Sequence, residues 1–162
     1  MSSATSHIRR IGPDDWQIFR EIRLAALQEA PYAFGSTYEG EVAASEESWR
    51  HRLTERARFV AEVDGVVVGT VGAGPGEFEG VGALTALWVD PRFRSRGVGT
   101  ALVEAVLDWA TDQGFSQVLL WVTEVNEKAQ SLYERQGFAR TGRSIEVRPR
   151  EPGVEYEMTR VL

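Results

Sequence analysis

The fold is decided by one stretch of the sequence, residues 87–100, which reads LWVDPRFRSRGVGT. A strand pattern ends at Asp90-Pro91, a loop rich in arginine and glycine follows, and helical spacing begins after Gly97. Successive backbone N–H groups in such a loop, together with a helix N-terminus, form a concave site for anions. Glycine at 97 and 99 lets a phosphate approach the backbone closely. The alternative is a solvated arginine-rich loop whose glycines only make a turn.

Two other phosphate-binding loops are excluded by the neighbouring residues. A dinucleotide-binding fingerprint starting at Gly97 requires a glycine where the chain has Leu102. A P-loop requires lysine directly after its last glycine, but Thr100 follows Gly99, and Lys128 is the only lysine of the chain.

The segments on either side predict one domain built on a mixed sheet. Strands are predicted at residues 7–11, 58–63, 66–71, 83–89, 117–122, 138–147 and 154–161, and helices after Pro13, after Ser45, at 97–113 and at 126–136. Residues 32–44 and 72–82 are predicted loops. This order favours an α/β (α+β) domain over residues 7–162 with helices on both faces, preceded by a disordered tail at residues 1–6.

Composition narrows the possible functions. The 162 residues carry 18 basic and 24 acidic side chains, and this net charge of −6 argues against nucleic-acid binding. The absence of cysteine excludes disulfides, thiolate nucleophiles and cysteine-based zinc sites, and two distant histidines form no metal site. We see neither a signal peptide nor an apolar run long enough for a membrane helix, so we expect a cytoplasmic protein without membrane association.

Two motifs together identify a family resemblance. Arg94-x-x-Gly97-x-Gly99 follows the strand at 87–89, and Asn126-x-x-Ala129-x-x-x-Tyr133-x-x-x-Gly137-Phe138 follows the strand at 117–122. This pair resembles the signatures of the GCN5-related N-acetyltransferase (GNAT) superfamily. The resemblance implies a mixed, mostly antiparallel sheet of six to seven strands with a splayed central strand pair. It also implies acetyl-CoA as cosubstrate, a primary amine of a small molecule or peptide as acceptor, and no metal.

The resemblance also implies roles for individual residues. The cofactor would bind to Leu87, Trp88, Val89, Arg94, Ser95, Arg96, Gly97, Val98, Gly99, Thr100, Asn126, Ala129 and Tyr133. The backbone from Arg94 to Thr100 would hold the pyrophosphate, and Asn126 would bond to the pantetheine arm. Tyr133 would be the general acid that protonates the departing thiolate. Read alone, Tyr133 is a packing aromatic of a helix.

The family pattern fails at the general base. Many members carry a carboxylate on the central strand, but residues 80–89 contain no Glu, Asp or His. The base is therefore unassigned, and the substitutes are a water chain or one of five carboxylates, Glu39, Glu41, Glu77, Glu79 and Glu124. The missing carboxylate also leaves a second function open, a CoA-binding sensor or structural module without turnover.

The acceptor side is expected in the loop after the first helix. Tyr32, Phe34 and Tyr38 would line an apolar pocket, with Glu39 and Glu41 attracting an ammonium group. This segment is similar to that of uncharacterised bacterial members of the family. The alternative is a hydrophobic plug that holds the two helices against the sheet.

The last strand suggests an assembly. Residues 155–160 alternate in a way that suits an edge strand, and family members often pair through their C-terminal strands. We therefore expect a homodimer.

Overall fold

Seven strands form one sheet in the order β1-β2-β3-β4-β5-β7-β6 in the computed structural model, which describes residues 6–31, 36–146 and 153–162. The strands are β1 (His7–Ile11), β2 (Ala57–Val63), β3 (Val66–Pro75), β4 (Val81–Val89), β5 (Gln117–Thr123), β6 (Ala139–Glu146) and β7 (Val154–Val161). All neighbours pair antiparallel except β4 and β5, which run parallel. The expected mixed, mostly antiparallel sheet is confirmed.

Helices cover both faces of this sheet. They are α1 (Trp16–Glu29), α2 (Tyr38–Val42), α3 (Glu46–Glu55), α4 (Val98–Asp112) and α5 (Glu127–Arg135). The face on which each helix lies can be read from the strands, since successive residues of a strand point to opposite faces of the sheet. On β2, Phe59 and Ala61 pack in the core beneath α4 and α5, whereas Val60 packs with α1 and α3.

Buried side chains attach the helices to both faces of the sheet. Leu102, Val103 and Val106 are completely buried against β2, β3 and β4. On the other face, the edge of the Phe19 ring meets the buried Trp49 ring at a centroid distance of 5.2 Å, which joins α1 to α3. Both layers therefore pack directly against the middle strands.

The structure corrects three of the element assignments. The predicted loop at 32–44 contains α2, because the Thr37 side chain accepts a hydrogen bond from the amide of Gly40 and caps a short helix. β3 continues to Pro75 in place of the predicted connection at 72–82, since residues 72–75 pair with β4. The edge-strand prediction for 155–160 is wrong, because β7 pairs with β5 on one side and β6 on the other. The homodimer and the 7–162 domain boundary stay predictions.

Residues 1–5 of the predicted N-terminal tail lie outside the described residues, as do Tyr32 and Phe34. Within the described ranges, no helix has the length and apolar character needed to cross a membrane.

A core substitution in α4 tests this arrangement. Leu102→Ala is expected to lower the free energy of unfolding by about 2–5 kcal/mol, because it leaves a cavity where Leu102 is 0% exposed. Glu104→Ala, at an exposed position of the same helix, is expected to change it by about 0.5 kcal/mol or less. Urea denaturation measures both, and equal effects would contradict the described packing.

Candidate active site

The two central strands separate soon after they begin. β4 and β5 pair only at Val81↔Gln117, Gly82↔Val118 and Ala83↔Leu119. Beyond Ala83, β4 still pairs with β3, and beyond Leu119, β5 still pairs with β7. Each strand therefore presents an unpaired edge to the other, with backbone groups that need hydrogen-bond partners. The splayed central pair expected from the resemblance is present.

A bulge in β4 marks the mouth of this cleft. The register against β3 shifts between Thr70 and Gly72, so that one additional β4 residue is accommodated. At this point Ala86 has a φ of 52°, a conformation that costs energy for any residue with a Cβ. Bulges bend a strand and redirect its backbone groups. Here the bulge lies on the stretch of β4 that has left β5.

The loop between β4 and α4 carries backbone N–H groups that donate no hydrogen bond to the described residues. None of the N–H groups of residues 95–100 has an acceptor within the described part of the chain. The amide of Arg94, by contrast, is used in a turn with the carbonyl of Pro91. Ser95 and Gly97 adopt left-handed conformations, with φ of 62° and 84°, and Gly97 is the N-cap of α4. Six free amides at a helix N-terminus form a site suited to a pyrophosphate.

The three arginines of the loop have different roles. Arg94 Nε donates to the carbonyl oxygen of Val89 at 2.9 Å, and its Nη2 donates to Glu29 Oε1 at 2.6 Å. Glu29, the last residue of α1, also accepts from Trp88 Nε1 at 2.9 Å. Arg92 is bonded to Asp90. Arg96 is exposed, and its guanidinium lies 5.5 Å from the centroid of the Phe93 ring. Unlike Arg92 and Arg94, it has no carboxylate partner among the described residues, so its positive charge remains available beside the free amides.

Helix α5 brings the second motif to the other side of the cleft. It follows β5 directly, and Asn126 caps it through Oδ1, which accepts from the amide of Ala129 at 3.2 Å. This bond leaves the Asn126 side-chain NH2 group as a donor for a ligand. The structure tests neither the role of Asn126 nor that of Ala129, so both stay predictions.

Tyr133 is buried between α5 and the sheet. Its side chain is 6% exposed and its ring meets the Phe138 ring edge-to-face at 5.8 Å. Within the described residues its hydroxyl has no hydrogen-bond partner. Burial raises the pKa of Tyr133 above its ordinary value of 10.0, because the phenolate would be poorly solvated there. The phenol is therefore held in its protonated form.

A cavity of about 410 Å³ opens on the face of β4 that α1 and α3 cover, opposite the face of α4 and α5. It is lined by Phe19, Arg23, Arg52, Glu55, Arg56, Arg58, Thr85 and Ala86. Thr85 and Ala86 belong to the bulged stretch, so the cavity reaches the part of β4 that faces the cleft. Four of the eight lining residues are arginines, although the whole chain has a net charge of −6.

The acceptor-side predictions fare differently in the structure. Tyr38 lies on α2 and packs against the core between α1, α3 and the sheet. Glu39 is exposed on the same helix, and neither residue lines the cavity. Their contact with an acceptor stays a prediction, and the packing of Tyr38 is also what the alternative of a hydrophobic plug predicts.

Glu41 is fixed by two arginines. Its carboxylate accepts from Arg23 at 2.9 and 3.0 Å and from Arg52 at 3.1 Å. Burial alone would raise the pKa of Glu41, but hydrogen bonds from Arg23 and Ser36 and the nearby cations outweigh it and lower this pKa to about 2. Glu41 is therefore a weak base, and it orders Arg23 and Arg52 instead of attracting an ammonium group.

The remaining candidate bases lie away from the cavity lining. Glu77 pairs with Arg143 at 3.0 Å, and Glu124 accepts from the Tyr156 hydroxyl at 3.4 Å. Glu79 is exposed on the β3–β4 turn. The described residues contain no cluster of three or more potential metal ligands.

Comparison with known proteins decides the family. The sequence model of the Acetyltransferase (GNAT) family matches residues 16–138. The chain belongs to this family. The match includes the splayed strands, the amide loop and α5, so the motifs quoted from the sequence lie in a GNAT domain.

Curated relatives match part of the chain. It is 41% identical over 93 residues to the probable N-acetyltransferase family 8 member 5 of Mus musculus, covering 55% of this chain and 41% of the relative. It is also 41% identical over 86 residues to the N-acetylaspartate synthetase of Homo sapiens, covering 53% and 28%. The chain thus spans less than half the length of these relatives.

Solved GNAT structures share the fold over nearly the whole chain. A GNAT-family acetyltransferase from Streptococcus pneumoniae superposes with a TM-score of 0.81 at 20% identity, covering 98% of this chain and 99% of that one. An acetyltransferase from Salmonella typhimurium, determined with its cofactor acetyl-CoA, gives 0.78 at 20% identity, covering 98% and 95%. At these identities the likeness establishes the fold alone.

The arginines of the cavity are the residues that sequence reasoning missed. Arg56 directly precedes β2 and Arg58 is its second residue, and Gly72 and Gly74 stand two positions apart on β3. Side chains two apart on a strand share a face, and glycines on the neighbouring strand leave room for long side chains. This R-x-R and G-x-G pair is the signal that could have revealed a positively charged cavity in this GNAT domain.

A charge placed at the amide loop tests the cofactor site. Gly97→Glu is expected to abolish binding of CoA and acetyl-CoA in calorimetry, because it puts a negative charge beside the free amides. Gly65→Glu is the matched control, since Gly65 also has a positive φ, 79° against 84°, and a Cβ on either glycine would have no atom within 4 Å. The control carries the same strain and charge on the β2–β3 turn. Equal affinity in the two variants would contradict the assignment.

The Glu41 cluster predicts an acid-sensitive contribution to stability. Because the folded pKa of Glu41 lies near 2 and its ordinary value is 4.5, its contribution is complete above about pH 5 and is lost as the pH falls towards 2. Glu41→Gln is expected to flatten the fall of the unfolding free energy over this range, measured by urea denaturation. Glu39→Gln, the exposed control on α2, is expected to leave the slope unchanged. An unchanged slope in Glu41→Gln would contradict the ion-pair cluster.

Proposed function

We propose that this protein is an N-acetyltransferase that moves the acetyl group of acetyl-CoA to the primary amine of a small molecule or peptide. The observation that carries the proposal is the unpaired edge of β4 followed at once by six free amides at the N-terminus of α4. An extended ligand with an amide-containing arm and a pyrophosphate would satisfy both sets of groups. Family membership and the names of the curated relatives support the same activity.

The residues present suit this cosubstrate. The amides of residues 95–100 would hold the pyrophosphate, aided by the charge of Arg96. Backbone groups of Leu87, Trp88 and Val89 would bind the pantetheine arm. Of these groups, the Val89 carbonyl oxygen already accepts a hydrogen bond from Arg94. Asn126 and Ala129 would border the arm on the α5 side. When bound, acetyl-CoA supplies a thioester carbon that an amine can attack, with release of a thiolate.

Tyr133 suits the role of general acid. Its raised pKa keeps the phenol protonated at neutral pH, and its hydroxyl has no described partner that would compete for the proton. A phenol that donates its proton to the leaving sulfur prevents the thiolate from re-forming the bond. General acid assistance of this kind contributes about 10²–10⁴-fold to a rate.

The amine must lose its own proton by another route. Among the described residues, no carboxylate lies on the splayed part of β4, and Glu41 is too weak a base. An α-amino group with a pKa near 8 is partly neutral at pH 7 and requires little help, whereas a lysine-like amine near 10.4 requires more. We therefore propose that the amine is deprotonated through water, at a free-energy cost that rises with the pKa of the amine.

Removal of the Tyr133 hydroxyl tests the acid role. Tyr133→Phe preserves the contact with Phe138 and is expected to leave acetyl-CoA affinity unchanged while lowering kcat by about 10–10³-fold, since the interaction is made mainly in the transition state. Release of free thiol under conditions where chemistry limits the rate measures kcat. Tyr133→Ala, in contrast, is expected to lower the melting temperature.

A Tyr133→Phe variant with full kcat would remove the acid role and leave the rest of the proposal intact. Binding of acetyl-CoA without thiol release for any amine in a broad panel would instead favour the alternative function, a CoA-binding module.

A further inference from the structure

Arg58 is a buried cation without a carboxylate partner. It is 9% exposed, and its hydrogen bond to a described residue is a long one, from Nη1 to Thr70 Oγ1 at 3.4 Å. Its guanidinium lies 4.7 Å from the centroid of the Phe19 ring. No described carboxylate lies within ion-pair distance. A buried charge is costly unless it is paired, and a bound anion would supply the partner that the Arg58 guanidinium lacks.

The sheet register shows where the guanidinium group of Arg58 lies. In the sheet register Arg58 lies opposite Gly72 of β3, and Gly72 lies opposite Thr85 of β4. A Cβ on Gly72 would lie 3.1 Å from Arg58 Nη2 and 2.6 Å from Thr85 Oγ1. The guanidinium therefore lies over the bare Cα of Gly72, and Thr85, next to the Ala86 bulge, borders the same space.

Arg56 repeats the arrangement two residues earlier. A Cβ on Gly74 would lie 2.6 Å from Arg56 Nη1, so this side chain also crosses β3 at a glycine. Both arginines line the cavity of about 410 Å³, together with Arg23 and Arg52. This volume is within the range of small-molecule sites.

The cavity holds more positive charge than its acids neutralise. Glu41 pairs with Arg23 and Arg52, and Glu55 is the one carboxylate among the eight lining residues, against four arginines. Burial and the cations of Arg23 and Arg52 lower the pKa of Arg58 to about 9, which still leaves the guanidinium charged at neutral pH. An anion placed in the cavity would relieve both the burial cost and the mutual repulsion of the arginines.

The geometry points to an acceptor that carries an anionic group, a carboxylate or a phosphate, bound by Arg58 while its amine faces the Ala86 bulge. Guanidinium groups bind both anions through paired hydrogen bonds. This inference rests on the proposed acetyltransferase activity and specifies its substrate class. Arg58 would position the acceptor, and Gly72 would keep the path of Arg58 open.

Matched acceptor pairs test this selectivity. Glycine, L-leucine and L-phenylalanine are each compared with the corresponding amino-acid amide, and phosphoethanolamine with ethanolamine, by thiol release from acetyl-CoA. The anionic member of at least one pair is expected to have a kcat/KM about 10–100-fold higher, as is typical for a charge-assisted hydrogen bond. The anion makes the neighbouring amine more basic, so without recognition the neutral member would react faster. The two kinds of pair separate carboxylate from phosphate.

Variants assign the selectivity to Arg58. Arg58→Met is expected to remove the preference by lowering kcat/KM for the anionic acceptor, while the neutral acceptor and acetyl-CoA affinity stay within about threefold. Arg10→Met is the control, because Arg10 is exposed on β1 and pairs in register with Phe59, on the face opposite the cavity. The melting temperature of Arg58→Met is expected to be unchanged or higher, since an unpaired buried charge is removed. Gly72→Ala keeps Arg58 but is expected to displace it and reduce the same preference.

The outcomes separate this inference from the proposed function. Turnover without a preference for anions, or a preference that persists in Arg58→Met, would overturn the inference and leave the acetyltransferase activity standing. Absence of turnover with every amine would overturn the proposed function. In that case the same amino acids and phosphoethanolamine are titrated by calorimetry into the CoA-bound protein. Binding that Arg58→Met abolishes supports the anion site, and absence of binding, or equal binding to the variant, overturns it.

Discussion

The separation of β4 from β5 is the constraint on which the site depends. A parallel pair inside a sheet normally continues its ladder, because unpaired backbone groups are costly when buried. Here the ladder ends at Ala83 and Leu119, and β4 bulges at Ala86 with a φ of 52°. The pairing of β4 with β3 and of β5 with β7 holds the strands apart. The sheet thus contains an opening whose walls are backbone donors and acceptors.

This opening joins two faces with different chemistry. On the face of α4 and α5 lie the free amides of residues 95–100 and the buried phenol of Tyr133. On the face of α1 and α3 lies the arginine cavity, which reaches β4 at Thr85 and Ala86. In the proposed function, a cosubstrate and an acceptor would approach from opposite sides and meet at the bulge. The division explains how an acidic chain offers positive charge in two separate places.

The sequence predicted the parts of the site that depend on local backbone geometry. Gly97 and Gly99 at the start of a helix indicated the amide loop, and residues 126–136 indicated the helix after β5, because such features are encoded within a few residues. The arginine cavity depends on Arg23, Arg52 and Arg58, which come from α1, α3 and β2 and are brought together only by the packing of these helices on the sheet. The bulge at Ala86 could not be predicted from the sequence either, since no glycine stands at this position of positive φ. Glu41 is a candidate base by its sequence position, but its ion pairs with Arg23 and Arg52 make it a weak one.

Amide chemical shifts during a titration with acetyl-CoA test the central claim most directly. If the splayed strands and the loop form the cosubstrate site, the largest changes in ¹H–¹⁵N spectra will fall on residues 95–100 and on the unpaired edges at 84–89 and 120–123. Small changes are predicted for β1 and for the edge strand β6. Saturable binding with its largest changes on β1 or β6, or no binding to the folded protein, would contradict the account.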